Sequence, residues 1–259
     1  MELLEAILLG IIQGITEWLP ISSSGHLALA QHLFGTEVPV SFDIILHLGT
    51  LLAVIAYYRK DLLDMARGIL ARDDKSLRLA FLLLISAIPT AIIGLLFRDF
   101  FESMFSSLLH VAAALTITGL FLIFVSAKTR KPGTGNPRPK TSDALLIGAA
   151  QGLAVAPGIS RSGATIGTAL LLGIERNEAA RFSFLAGILP ILGAVILEGR
   201  NAISFDAGLL PLLAGFLSAA IVGYLSIGLL LKVLRQSRLH LFGYYCLLVA
   251  MIVVLAVAL

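Results

Sequence analysis

The chain has 259 residues, of which 58% are hydrophobic and only 14% charged, where about 25% charged is ordinary for a soluble domain. So few charges cannot cover a water-facing surface, and so apolar a chain does not stay disordered, which leaves a lipid bilayer as the solvent. The net charge of +3 hints at an anionic partner, while the lone Cys246 excludes a disulfide framework and a cysteine-built metal site.

In chain order, Glu2 and Glu5 stand where a signal peptide would be basic, and no small-residue cleavage site follows. The first apolar stretch is therefore expected in the mature protein. Region 3–34 is apolar but interrupted by the polar run Glu17–His26, and region 141–174 by Pro157–Gly163. Irregular backbone at membrane depth is tolerated only where it is buried in protein or lines a wet cavity. Each region is thus expected to be a re-entrant pair of half-helices. Six further stretches, near 41–58, 77–97, 108–127, 179–197, 208–231 and 240–259, are each about the ~20 residues that a spanning helix needs. Pro89 and Pro190 fall within spans and are expected to kink them.

The two interrupted regions resemble each other. A shift of 138 positions sets Gly10 on Gly148, Gln13 on Gln151, Gly14 on Gly152, Ile21 on Ile159, Ser22 on Ser160, Ser24 on Ser162 and Gly25 on Gly163. Each region is followed by three spans, an odd number, so the halves are expected to lie in opposite orientations. The expected fold is an all-α integral membrane domain with six transmembrane helices and two re-entrant pairs in an inverted-topology repeat. Repeat one covers 1–127, a polar linker 128–140, and repeat two 141–259. On this topology sixteen of the nineteen basic residues fall on one side; Arg98 and Arg200 fall on the other, and Arg161 lies inside the second break. The positive-inside rule makes the sixteen cytoplasmic and turns both termini outward. The basic charge is topological, which removes nucleic acid as a partner.

Inverted repeats bring the two breaks together near the midplane. One site is then expected from Glu17, Ser22, Ser23, Ser24 and His26 with Ser160, Arg161, Ser162 and Thr165, and Gln13 shares the face of Glu17 one helical turn away. Ionisable groups at membrane depth are functional by default. Each Ser-x-Ser-Gly run stands where a half-helix starts, and free amides at a helix start attract anions. With Arg161 between them the pair suits phosphate or pyrophosphate. Ser23 or a neighbouring hydroxyl is a candidate nucleophile, His26 its base or proton donor, and Glu17 a cation ligand or the group that orients the imidazole. The plainer readings are a structural Glu17–Arg161 ion pair and serines that merely cap half-helices. His32, His47, His110 and His240 stand alone among apolar residues and are expected to be packed or interfacial. Glu175 and Glu178 are expected to be helix-start charges, and Asp43 either another such charge or a group facing the cavity, outside the catalytic set.

The segments Gln13–His26 and Pro157–Thr165 resemble the bacitracin-resistance family of undecaprenyl-diphosphate phosphatases. They match its Glu/Gln-x-x-x-Glu segment with a trailing Ser-rich Gly-His, and its Pro-Gly-x-Ser-Arg-Ser-x-x-Thr motif. Length, span count and repeat agree over essentially the whole chain. The resemblance implies a bacterial inner-membrane enzyme opening to the outer face, which hydrolyses undecaprenyl diphosphate to the monophosphate carrier for peptidoglycan assembly. It implies Glu17, Ser23, His26 and Arg161 as the catalytic set. It also implies a divalent cation, Mg²⁺ or Ca²⁺, on Glu17, with Gln13, Ser22, Ser24, Ser160, Ser162 and Thr165 around the phosphates. Gln13 carries no charge, so Glu17 holds the cation alone or with the substrate's phosphates. Partners are then the polyprenyl diphosphate and membrane lipids, with a homodimer left open. The rival from another class is a polyprenyl-phosphate flippase, since inverted repeats with broken helices also build transporters.

Overall fold

A computed structural model describes residues 2–35, 40–129, 138–199 and 208–258. Among them the chain is all helix: α1 (Leu3–Trp18), α2 (Ser23–Phe34), α3 (Val40–Tyr57), α4 (Arg59–Leu70), α5 (Asp74–Leu96), α6 (Arg98–Met104), α7 (Leu108–Lys128), α8 (Thr141–Leu153), α9 (Arg161–Leu171), α10 (Arg176–Gly199), α11 (Leu209–Arg235) and α12 (His240–Ala258). Helices α5, α7, α10, α11 and α12 are each long and apolar enough to cross a membrane. A sixth crossing is available if α3 and α4, bent by 71° at Tyr58, count as one broken span.

Five of the six expected spans coincide with these five helices to within a few residues. The sixth, 41–58, ends at a bend that the sequence reading passed over. Beyond it α4 carries Arg59, Lys60, Asp61, Asp64 and Arg67 and buries none of its residues fully, so polarity hid a helix that only Leu62 and Met65 press against the core. Pro89 and Pro190 sit inside α5 and α10 without ending them. Most of the 128–140 linker, and Arg200, lie outside the described residues.

Close helix packing rests on small residues, as it does where lipid removes the hydrophobic drive between helices. Helix α1 lies on α11 and α8 on α5. A side chain at Gly10 would overlap the Gly215 carbonyl, and one at Gly148 would overlap the Ser86 carbonyl. Gly14 meets the Gly223 and Ala219 backbone in the same way, and Gly152 meets Ile93. Helices α7 and α12 meet at Gly119 and Gly243. The apolar core between them gathers Trp18, Leu115, Leu122, Ile166, Phe182, Phe184, Ile227 and Cys246.

At one end of the bundle the basic loops converge. Arg181 Nε lies 2.5 Å from Asp61 Oδ1, and its Nη1 2.9 Å from Glu178 Oε1. Arg176 donates to the Leu234 carbonyl at 3.2 Å and also to the Thr129 carbonyl, and Arg235 donates to Asn177 Oδ1 at 3.0 Å. The segments after α3, α7, α9 and α11 therefore share one face. As a helix-start charge, the Glu175 carboxylate accepts from the amides of Asn177 and Glu178.

Candidate functional site

The breaks at 19–22 and 154–160 meet. Ser162 Oγ donates to the Leu19 carbonyl at 3.0 Å, a Cβ at Gly25 would lie 3.3 Å from Gly158 Cα, and one at Gly163 would lie 3.3 Å from Pro20 Cβ. The second helices of both pairs start alike. Ser22 and Ser160 are the N-caps, whose hydroxyls accept from Gly25 N at 3.3 Å and Gly163 N at 3.1 Å. A helix start leaves amides without intrahelical partners, and a short hydroxyl is suited to take one. Ser22 holds φ at +69°, a left-handed conformation that costs a residue with a side chain on the order of 1–3 kcal/mol. In return its carbonyl faces His26, accepting from both His26 N (3.2 Å) and His26 Nδ1 (2.8 Å).

Glu17, only 7% exposed, is the hub of the site. Its Oε1 accepts from Arg161 Nη2 at 2.8 Å. Its Oε2 accepts from Ser23 Oγ at 2.5 Å and from Gln13 Nε2 at 3.1 Å. Ser23 and Arg161 are each the first residue of their helix, so the two equivalent helix starts reach one carboxylate from opposite sides. The Arg161 guanidinium also lies over the Trp18 ring, 5.0 Å from its centre, and Trp18 in turn stands edge-on to Phe184 at 5.2 Å. This ring stacking and the ion pair make lysine a poor substitute for Arg161. Arg161 Nη1, Gln13 Oε1 and Trp18 Nε1 make no hydrogen bond among the described residues. Buried donors and acceptors are rarely left so, and each is a place where water, an ion or a ligand group can bind.

The remaining expected site residues divide in two. Ser24 is half-buried, 3.3 Å from Ser22 Oγ. Ser160, Ser162 and Thr165 are buried, and their hydroxyls brace the second break. Ser160 and Ser162 lie 3.3 Å apart, Thr165 donates to the Arg161 carbonyl at 2.8 Å, and Thr165 and Ser183 share a hydrogen bond of 2.5 Å. His26 makes no hydrogen bond to Ser23 among the described residues; its Nε2 lies 2.9 Å from Tyr245 Oη.

Two of the histidines expected to be packed or interfacial have polar neighbours on other helices. His47 is not alone among apolar residues: its Nε2 lies 3.9 Å from Glu17 Oε2, and its Nδ1 donates to the Asp43 carbonyl at 2.8 Å. His240 likewise meets Ser126 Oγ at 3.1 Å. In both cases the partner is on another helix, which adjacency in sequence does not reveal. Asp43 receives the Gln31 amide at 3.3 Å. Sequence reasoning also missed Gly187, where a Cβ would overlap the Arg161 guanidinium. A helical glycine gives no sequence sign that it makes room for a neighbour's side chain.

The oxygens around Glu17 fit a hard divalent cation in their chemistry: one carboxylate and the unpartnered Gln13 Oε1. Mg²⁺ is commonly held this way, by one or two carboxylates together with substrate phosphates and water. Among the described residues no three Asp, Glu, His or Cys side chains are grouped for a metal, so the substrate's own oxygens must complete any such site.

Fold and site together define a multi-pass, all-helical membrane protein with a buried carboxylate–serine–arginine cluster where two helix breaks meet. Comparison with known families resolves the class further. The model of the family described as "Bacitracin resistance protein BacA" matches residues 6–252, and the chain belongs to that family. A protein of Desulfosudis oleivorans named "Undecaprenyl-diphosphatase" is 46% identical, over 95% of each chain. Proteins of the same name from Halothermothrix orenii and Methanosphaera stadtmanae are 43% and 40% identical, over 99% and 98% of each chain.

Proposed function

We infer that this chain is an undecaprenyl-diphosphate phosphatase, removing the terminal phosphate and returning the monophosphate carrier to cell-wall synthesis. The observation that carries this is the Glu17–Ser23–Arg161 cluster, lying beside donors that have no hydrogen-bond partner among the described residues. It belongs to a chain whose near full-length relatives carry that activity as their name. Those names favour the enzyme over the flippase.

In the proposed mechanism the polyprenyl tail stays in the apolar bundle and the diphosphate lies at the paired helix starts. Arg161 Nη1 and the first amides of α2 and α9 meet the phosphoryl oxygens, where charge stabilisation does most of the work in this chemistry. The Ser23 hydroxyl, already directed at Glu17 Oε2, attacks the terminal phosphorus while Glu17 takes its proton. The bond from that phosphorus to the bridging oxygen breaks, and the lipid monophosphate leaves. Water then cleaves the phosphoserine, with His26 Nε2 as its base, releasing inorganic phosphate and restoring the serine. Gln13 and Glu17 would hold a Mg²⁺ or Ca²⁺ ion, which when bound neutralises phosphate charge. Ser22, Ser24, Ser160, Ser162 and Thr165 shape the two helix starts around the phosphates.

We also read the chain as two inverted repeats, 1–127 and 141–259, with six spans and two re-entrant pairs. The exchange of partners supports this: α1 lies on α11 and α8 on α5, through glycines 138 positions apart. The gathering of the basic loops on one face supports a cytoplasmic assignment for that face in the inner membrane, with the termini and the site's opening outward.

The test is phosphate release from farnesyl or undecaprenyl diphosphate by purified protein in detergent, with and without EDTA and with Mg²⁺ or Ca²⁺ restored. Release that EDTA stops and a cation restores is expected. Absence of release with every cation, alongside lipid movement across proteoliposomes, would favour the flippase instead.

A further inference from the structure

His26 is held from two sides. Its Nδ1 lies 2.8 Å from the Ser22 carbonyl, which can only accept, so Nδ1 carries a proton and, in the neutral imidazole that a general base has to be, Nε2 holds the lone pair. Nε2 lies 2.9 Å from Tyr245 Oη, and the phenol must then be the donor. The two rings are nearly parallel, 8° between planes, with centres 5.5 Å apart. Tyr245 comes from α12, which packs chiefly on α7 and reaches the first break otherwise through the Cys246 thiol, 3.8 Å from the Pro20 carbonyl. Tyr245 is 40% exposed, so the hydrogen bond, not burial, holds its hydroxyl in place. A tyrosine with an apolar body and a polar tip at such depth needs one partner, and His26 provides it.

We propose that Tyr245 is a positioning residue for His26, resting on the reading of His26 as the base for water. The pair of bonds from Ser22 and Tyr245 selects one tautomer and one ring orientation, with the basic nitrogen facing outward from α2. The strained Ser22 serves the same end, since its left-handed backbone turns the carbonyl toward Nδ1. The phenol occupies the place on Nε2 that a water proton takes during turnover. The phenol therefore fixes the direction of Nε2 in the resting site, so that water takes its place on a ring already turned the right way.

The test compares wild type with Tyr245→Phe, which keeps the ring and removes the hydroxyl. Protein labelled with ¹⁵N-histidine in detergent micelles, assigned with His26→Ala, should show His26 as the Nδ1–H tautomer. Tyr245→Phe should shift the Nε2 signal toward that of an unbonded lone pair and bring in the second tautomer. It should also lower kcat roughly tenfold, a part of the ~10²–10⁴-fold that general-base catalysis supplies in full, with KM changed less than twofold. Unchanged nitrogen signals in Tyr245→Phe would overturn the proposal at the contact. Shifted signals with wild-type kcat would overturn it at the base assignment, and full activity in His26→Ala would contradict the mechanism on which it rests.

Discussion

At the scale of single residues, one buried carboxylate organises the site. Glu17 sits between a serine hydroxyl, an arginine and an amide, and removing any partner of a buried charge leaves it uncompensated. Glu17→Gln or Ser23→Ala should lower phosphate release by about 10²–10⁴-fold, the range for proton transfer and nucleophile activation. The melting temperature in detergent, measured alongside, separates this loss from unfolding. Gly187→Ala tests the positioning of Arg161 from behind. The added methyl displaces the guanidinium, and a misplacement of about 1 Å can cost on the order of 100-fold. We expect a loss of that order in kcat with the fold intact. Much of this site was legible beforehand: Gln13, Glu17, Ser23 and Arg161 stand in two polar breaks where hydrocarbon tolerates polarity only for function. His47, Tyr245, Ser183 and Gly187 were not legible. Each acts through a neighbour on another helix, and each taken alone has an ordinary reading.

At the scale of elements, helix pairs are fixed by what their glycines leave out. Gly10 and Gly148 each bring a helix backbone against a carbonyl of its partner, and overpacking such a contact costs about 1–3 kcal/mol. Gly148→Ala and Gly10→Ala should therefore lower the detergent melting temperature. Gly193→Ala, where nothing lies within 4 Å, should leave it unchanged or raise it slightly by favouring helix. The long apolar helices were readable because their composition alone demands a bilayer. Helix α4 was not, because a polar helix that buries none of its residues fully has neither the apolar length of a span nor the turn residues of a loop.

At the scale of the whole molecule, two groups of charge carry the account. Loops after α3, α7, α9 and α11 gather at one face through Arg176, Arg181 and Arg235, as the charge count foresaw. Cysteines placed at the exposed Lys75 and Gln236 should react with a membrane-impermeant maleimide only after cells are opened, and one at exposed Asp99 in intact cells. The buried Cys246 thiol should stay silent throughout. Equal labelling of Lys75→Cys and Asp99→Cys in intact cells would contradict the orientation. The other group is the pair Glu17 and Arg161, which either binds the diphosphate or only ties the two helix breaks together. Turnover of polyprenyl diphosphate by Arg161→Ala, with kcat and KM measured beside wild type at equal folded fraction, decides between them. The account predicts a kcat lower by at least about 100-fold, the scale for losing a phosphoryl-stabilising group, and a raised KM. Wild-type kcat and KM in Arg161→Ala would contradict it and leave the ion pair a purely structural joint.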